Sequence, residues 1–218
     1  MNMKKKFLTA AILMVMTASM MLPAEVATAE AQEPVFVEVQ PGEPQSEELQ
    51  NPAEVETAEE PQPSYRNGLA AYITSVNETV TEADALDMVD CILAEAESNG
   101  IDEKLILAVA HTESTYYSDA VSCADYKGLM QTGDVLAEEA GYSPEALFDP
   151  EVSIAVGADY ISQQMDAFDD DVELALTAYN QGPGTIYDGT YDTDYAEITM
   201  ERVENIETFL LEGGYLQR

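Results

Sequence analysis

From Thr81 to the C-terminus, apolar side chains recur at intervals of three and four residues, the spacing that gathers them on one face of an α-helix. Leu86, Val89, Ile92 and Leu93 form the first such stripe. Thr81 and Asp84 ahead of it suggest a capping box, in which a hydroxyl accepts from a free N–H of the first turn, and Asn99-Gly100 supplies the stop. Asp102 and Glu103 open a second helix over residues 101–113, with Leu105, Ala108, Val109 and Thr112 at i, i+3, i+4 and i+7. Ser143-Pro144-Glu145 and Asp149-Pro150-Glu151 each read as an N-cap followed by proline at the first helical position, where a missing N–H costs nothing. The second of these starts a helix carrying Val152, Ala155, Val156, Ala158, Tyr160, Ile161 and Met165. Asp170 or Asp171 begins another through Leu174, Leu176 and Ala178, ended by Gly182-Pro183-Gly184, and a last helix spans roughly Thr199 to Leu211. No run of alternating β-branched residues is long enough for a sheet. The expectation is an all-α (mainly α) domain over residues 81–218, large enough for one core.

The pattern fades toward the N-terminus. In residues 65–80, Tyr72, Ile73, Val76 and Val80 either pack as a short segment or stay flexible, so this stretch is transitional. Residues 30–64 hold ten acids, six prolines and no Lys or Arg, a composition that buries too little apolar surface to fold and reads as a disordered acidic linker. Before it, Lys4, Lys5 and Lys6 precede an uncharged apolar run from Phe7 to Leu22, and Ala27-Thr28-Ala29 reads as a small-residue cleavage site. That run is short for a membrane span, which usually needs roughly 20 residues. Residues 1–29 are therefore expected to be a cleaved signal peptide, with an uncleaved anchor as the alternative. The protein is expected outside the cytoplasm, in the cell wall or periplasm, meeting a membrane only during export.

Removing residues 1–29 takes away three lysines and one glutamate (Glu25), moving the formal charge from -35 to -37. Such a chain repels phosphate backbones, which excludes nucleic acid as a partner class. Export permits a disulfide, and Cys91 and Cys123 are the two cysteines, so one bridge is expected, with two buried thiols on neighbouring elements as the alternative. Neither cysteine has a metal-ligand pattern around it, and with one histidine in the chain no metal or other cofactor is expected.

Glu113 ends the apolar helix that carries Ala108, Val109 and Ala110. Apolar walls favour the neutral carboxyl and raise its pKa, which suits a group that delivers a proton to a glycosidic oxygen. Among 43 acids, most are solvated surface charges, so position alone is weak support. His111 lies roughly 160° to 200° around the helix from Glu113 and reads as a surface or packing residue. Asp119, Asp125 and Asp134 are the candidates for a second carboxylate.

Glu113-Ser114, Ala120-Val121-Ser122, Gly128-Leu129-Met130-Gln131, and Ala178-Tyr179-Asn180 with Gly182-Pro183-Gly184 follow one another in order. This series resembles the soluble lytic transglycosylase family, whose SLT domain has a lysozyme-like fold. The resemblance covers about residues 100–212, and Phe148-Asp149-Pro150-Glu151, Ile154 and the run from Gly157 to Tyr160 look like the family's connecting helix. It implies that Glu113 is the general acid and that Ser114 orients it. It further implies that Gly128 allows a close backbone approach beside the sugar and that Leu129, Met130 and Gln131 belong to the binding turn, Met130 and Gln131 lining the cleft. Tyr179 and Asn180 would close the opposite wall, bonded to Glu113 or to an N-acetyl group, and Tyr195 matches a cleft tyrosine ahead of the last helix. Read without the resemblance, Met130 is core, Tyr179 merely packs, and Asn180 serves equally as a C-cap. The chain departs from the family pattern at Asp125-Tyr126-Lys127, where small residues are usual, and at Thr132-Gly133-Asp134, where a proline is usual.

Ordinary glycosidases need two carboxylates, and none of the three aspartates matches a catalytic position of the family. The resemblance implies instead a peptidoglycan lytic transglycosylase that cuts the MurNAc-β-1,4-GlcNAc bond and forms 1,6-anhydro-MurNAc, with Glu113 as acid and then base. A hydrolytic muramidase on the same fold and a non-catalytic wall-binding module are the alternatives. Peptidoglycan strands are the expected partner. The sequence does not set the oligomeric state, and a monomer is the expectation.

Overall fold

The computed structural model describes residues 64–216, so the expected signal peptide and nearly all of the acidic linker lie outside the described residues. Eight α-helices follow in order: α1 (Tyr65–Val76), α2 (Glu82–Asn99), α3 (Glu103–Ser114), α4 (Asp134–Glu139), α5 (Pro150–Ala167), α6 (Val172–Gln181), α7 (Pro183–Asp188) and α8 (Asp194–Glu212), with a 3₁₀ turn at Pro144–Phe148 before α5. Extended pairing among the described residues is limited to two isolated bridges, Val121 with Lys127 and Lys127 with Thr132. The domain is mainly α, as the spacing of apolar residues predicts.

The helix starts follow the capping chemistry. The Thr81 side chain accepts from the Asp84 N–H, Asp102 from Lys104, Asp149 from Glu151 and Asp171 from Leu174. Each satisfies one of the donors that a first helical turn leaves free. Gly100 ends α2 in the left-handed conformation.

Four differences have physical causes. First, the transitional segment contains α1, capped by Ser64, the last residue assigned to the linker. Leu69, Tyr72 and Ile73 bury against α2 and α8, so its stability comes from tertiary packing. Second, α3 is buried all round: every side chain from Leu105 to Ala110 is inside, enclosed by α2, α5 and α8, where the spacing shows only a stripe. Third, Gly182-Pro183-Gly184 ends α6 but also begins α7, with Pro183 at its first position. Fourth, α8 starts at Asp194, before Thr199, because Ala196 and Thr199 are already buried in its first turns. Short α4, with no side-chain cap, has no signal in the pattern.

The disulfide expectation is corrected: Cys91 and Cys123 are both free. Cys91 sits half-buried on α2 against the core, whereas Cys123 is exposed in the loop after α3. No described helix is long and apolar enough to cross a membrane.

Candidate active site

Glu113 is the penultimate residue of α3, and the chain beyond it turns sharply. Thr115 and Tyr116 both take left-handed backbone angles (φ 54° and 62°), an uncommon conformation for a β-branched and an aromatic residue. Two contacts hold the turn. Buried Asn77, between α1 and α2, donates to the Thr115 carbonyl at 2.9 Å, and the buried Tyr116 hydroxyl donates back to the Leu107 carbonyl at 3.1 Å.

The loop that follows lies beside a cleft of about 590 Å³ lined by Glu113, Tyr126, Gln131, Asp134, Tyr160, Tyr179 and Asn180, among others. Glu113 Oε1 accepts from the Tyr195 hydroxyl at 2.6 Å. Burial raises the Glu113 pKa, and the Tyr195 bond opposes it by favouring the carboxylate. Burial and the neighbouring Glu113 in turn push the Tyr195 hydroxyl far up, so it remains a donor.

The turn Gly128–Gln131 is fastened from three helices. Ser114 of α3 donates to the Leu129 carbonyl at 2.8 Å, Ser153 of α5 accepts from the Met130 N–H at 3.0 Å, and Tyr179 of α6 donates to the Met130 carbonyl at 2.7 Å. Gln131, itself left-handed at φ 48°, folds its amide back onto the carbonyls of Ala120 and Gly128. Ser114, Ala120, the Gly128–Gln131 turn and Tyr179 are thus parts of one hydrogen-bonded unit.

This geometry corrects several expected roles. Ser114 does not orient Glu113 directly; it ties the end of α3 to the turn. Leu129 and Met130 are fully buried core residues, and Met130 packs on Gly157 rather than lining the cleft. The close approach at Gly128 (φ +74°) is to the Leu147 backbone: an added Cβ would stand 1.8 Å from that carbonyl oxygen. The Tyr179 hydroxyl is bonded to Met130, not to Glu113. Asn180 is exposed within α6 on the cleft wall, and Gly182 is the cap of that helix. Gln131 lies on the cleft lining, and Tyr195 lies against Glu113.

Of the three aspartates, Asp125 and Asp134 line the cleft, and Lys127 pairs with both, at 3.3 and 2.6 Å. Asp119 lies in a separate hollow between Asp84 and Glu151. His111 packs against Tyr72 and Tyr116 and shares a 3.0 Å hydrogen bond with the Tyr72 hydroxyl, and burial depresses its pKa to about 4. Among the described residues no group of three or more His, Cys, Asp or Glu is arranged to hold a metal ion.

Sequence reasoning missed Ser153 and Tyr160 as parts of the site. Tyr160 stands 5.4 Å from Tyr179, which stacks 6.5 Å from Tyr195, so aromatic rings line the approach to Glu113. Thr199, buried one turn after Tyr195, has its hydroxyl 3.2 Å from that of Thr112 on α3.

Residues 90–197 match the model of the transglycosylase SLT domain, and that span contains Glu113, the turn, Tyr179 and Tyr195. This part of the chain belongs to the SLT-domain family. A membrane-bound lytic murein transglycosylase C from Edwardsiella ictaluri is 33% identical over 113 residues, which cover 44% of this chain and 32% of that protein. The protein of the same description from Photorhabdus laumondii is 37% identical over 103 residues, covering 40% and 29% respectively. The chain therefore spans about a third of the length of these curated relatives. Among solved structures, the 70 kDa soluble lytic transglycosylase from Escherichia coli has the same fold, with a TM-score of 0.52 and 20% identity over 71% of this chain and 32% of that one. The SLT match begins inside α2 and stops early in α8, yet α1 and the rest of α8 supply Leu69, Ile73, Ile206 and Leu210 to the same core.

Proposed function

We propose that this chain is a peptidoglycan lytic transglycosylase in which Glu113 acts first as acid and then as base. The observation that carries the reading is one carboxyl, raised in pKa by burial, bonded to a tyrosine and open to a cleft whose two other described lining acids are held by Lys127. Its proton passes to the oxygen joining C1 of N-acetylmuramic acid to C4 of N-acetylglucosamine, and the C1–O bond breaks. The substrate's acetamido oxygen supports the cationic carbon that results. The Glu113 carboxylate then removes the proton of the muramoyl C6 hydroxyl as that oxygen bonds to C1. The 1,6-anhydro ring closes, and Glu113 is protonated again.

Two features favour one acid over two. Asp125 and Asp134 are held by Lys127, and Asp119 lies outside the cleft. Mass spectrometry of digested peptidoglycan tests the proposal: 1,6-anhydromuramoyl ends are expected, lighter by one water than the reducing ends left by a hydrolase. Reducing ends alone would mean a muramidase, and bound but uncut strands a binding module. The relatives' description as membrane-bound murein enzymes supports an extracytoplasmic place for this chain.

Tyr195 gives a second test. Its hydroxyl favours the ionised form of Glu113, so Tyr195→Phe raises the Glu113 pKa further. The first step needs the protonated acid, and the alkaline limb of kcat/KM is therefore expected to move to higher pH. A limb that stays in place would break the link between this bond and the catalytic proton.

A further inference from the structure

The two stretches at which the chain departs from the family pattern meet in space. The Lys127 N–H donates to the Thr132 carbonyl at 3.0 Å, and Lys127 Nζ pairs with Asp134 at 2.6 Å. Between these contacts the Tyr126 ring lies on Gly133, where an added Cβ would stand 3.1 Å from Cε1 and 3.3 Å from Cδ1. A side chain at 133 would crowd the ring, so glycine there and tyrosine at 126 suit one another. The other side of Tyr126 is braced as well. Its N–H donates to Ser122 Oγ at 3.0 Å, and its carbonyl accepts the Ser122 N–H at 2.9 Å.

This bracing presents an aromatic ring, 50% exposed, on the lining of the cleft that holds Glu113. A single exposed tyrosine is ordinary; the surroundings distinguish this one. Tyr160, Tyr179 and Tyr195 follow one another toward the acid, and their rings are partly buried, with the Tyr179 and Tyr195 hydroxyls engaged by Met130 and Glu113. Tyr126 lines the same cleft as Tyr160 and Tyr179, with its ring half open to solvent. The charges beside it are engaged with one another, Lys127 lying between Asp125 and Asp134. Such a rim suits a neutral ring with an apolar C–H face, and a rigid aromatic binds it with little loss of side-chain freedom.

We infer that Tyr126 is the stacking residue of a saccharide subsite on the cleft rim, taking an N-acetylhexosamine ring of the strand away from the bond being cut. The inference rests on the glycan-cleaving reading of the cleft. The chain has no tryptophan, so Tyr126→Trp in a Glu113→Gln background introduces a single indole at the proposed contact. Titration with a tetrasaccharide of alternating N-acetylglucosamine and N-acetylmuramic acid is expected to give a saturable fluorescence change, with calorimetry measuring binding independently. In the active enzyme Tyr126→Ala is expected to raise KM for that tetrasaccharide about 5- to 10-fold with a smaller change in kcat. Tyr126→Phe should recover most of that rise, since the ring face rather than the hydroxyl makes the contact. Calorimetric binding with a silent indole, or a KM that ignores Tyr126→Ala, overturns the subsite and leaves the cleft's function standing. Absence of calorimetric binding overturns both.

Discussion

Glu113→Gln is expected to lower the release of 1,6-anhydromuropeptides from purified peptidoglycan by about 1,000-fold, because a general acid contributes about 100- to 10,000-fold and the proposed mechanism uses the same group again as the base. Glutamine keeps the shape and can still accept from Tyr195, so loss of activity would report the proton and not the fold. A variant that still cut strands would end the single-acid mechanism, for a hydrolase as well as for a transglycosylase. The same substitution has a stability signature. Burial places the folded pKa of Glu113 above its unfolded value, so the native state holds this proton more tightly. Folding therefore weakens as pH rises between the two values, and the buried charge opposes the fold fully above the folded pKa. Glutamine escapes that cost. Its melting temperature is expected to exceed that of the wild type at alkaline pH, and the gain should shrink to nothing below the ordinary glutamate range. A gain that persists unchanged in acid would mean that the burial of Glu113 is not what holds its pKa up.

The parts of this architecture that were legible in the sequence are those set by local chemistry. Thr81, Asp102, Asp149 and Asp171 mark helix starts because each satisfies donors a few residues away, and Gly100 marks a stop because it adopts a left-handed angle. Glu113 was singled out through its motif companions, and the fold places it on the cleft. What stayed hidden depends on distant partners. The helix α1 exists because Leu69 and Ile73 meet α2 and α8, and α3 is buried all round because three helices enclose it. Roles inside the motifs were hidden for the same reason. Ser114, Met130 and Tyr179 read as site residues in the family pattern, but only the fold reveals that Ser114 and Tyr179 fasten the turn and that Met130 is buried within it. The site is thus read from sequence as a list of neighbours. The structure divides that list into one partly buried carboxyl, its tyrosine partner and the scaffold holding both.

That scaffold makes Gly128 the most sensitive backbone position in the site. Alanine there would be strained by a φ of +74°, and its Cβ would stand 1.8 Å from the Leu147 carbonyl oxygen, a backbone atom that cannot rotate away. Either the Gly128–Gln131 turn or the 3₁₀ turn Pro144–Phe148 must move. The left-handed strain costs about 1 kcal/mol, and displacing packed backbone adds about 1–3 kcal/mol. For a domain of this size the melting temperature should fall by about 10 °C. Gly100→Ala is the control, since Gly100 has a similar φ of +68° and nothing within 4 Å of an added Cβ. It should show the strain alone, about 1 kcal/mol. Activity should separate the two variants further. The Gly128 carbonyl accepts from the Gln131 amide, and the Gly128 N–H donates to Ala120, so a shifted turn moves Gln131 within the cleft and loosens the contacts of Ser114 and Tyr179. Gly128→Ala is therefore expected to lose most cleavage even below its melting temperature, while Gly100→Ala keeps it. Equal melting points for the two variants would show that the turn yields freely to Leu147, and the fastening described for Ser114, Ser153 and Tyr179 would then be too slack to hold the cleft in shape.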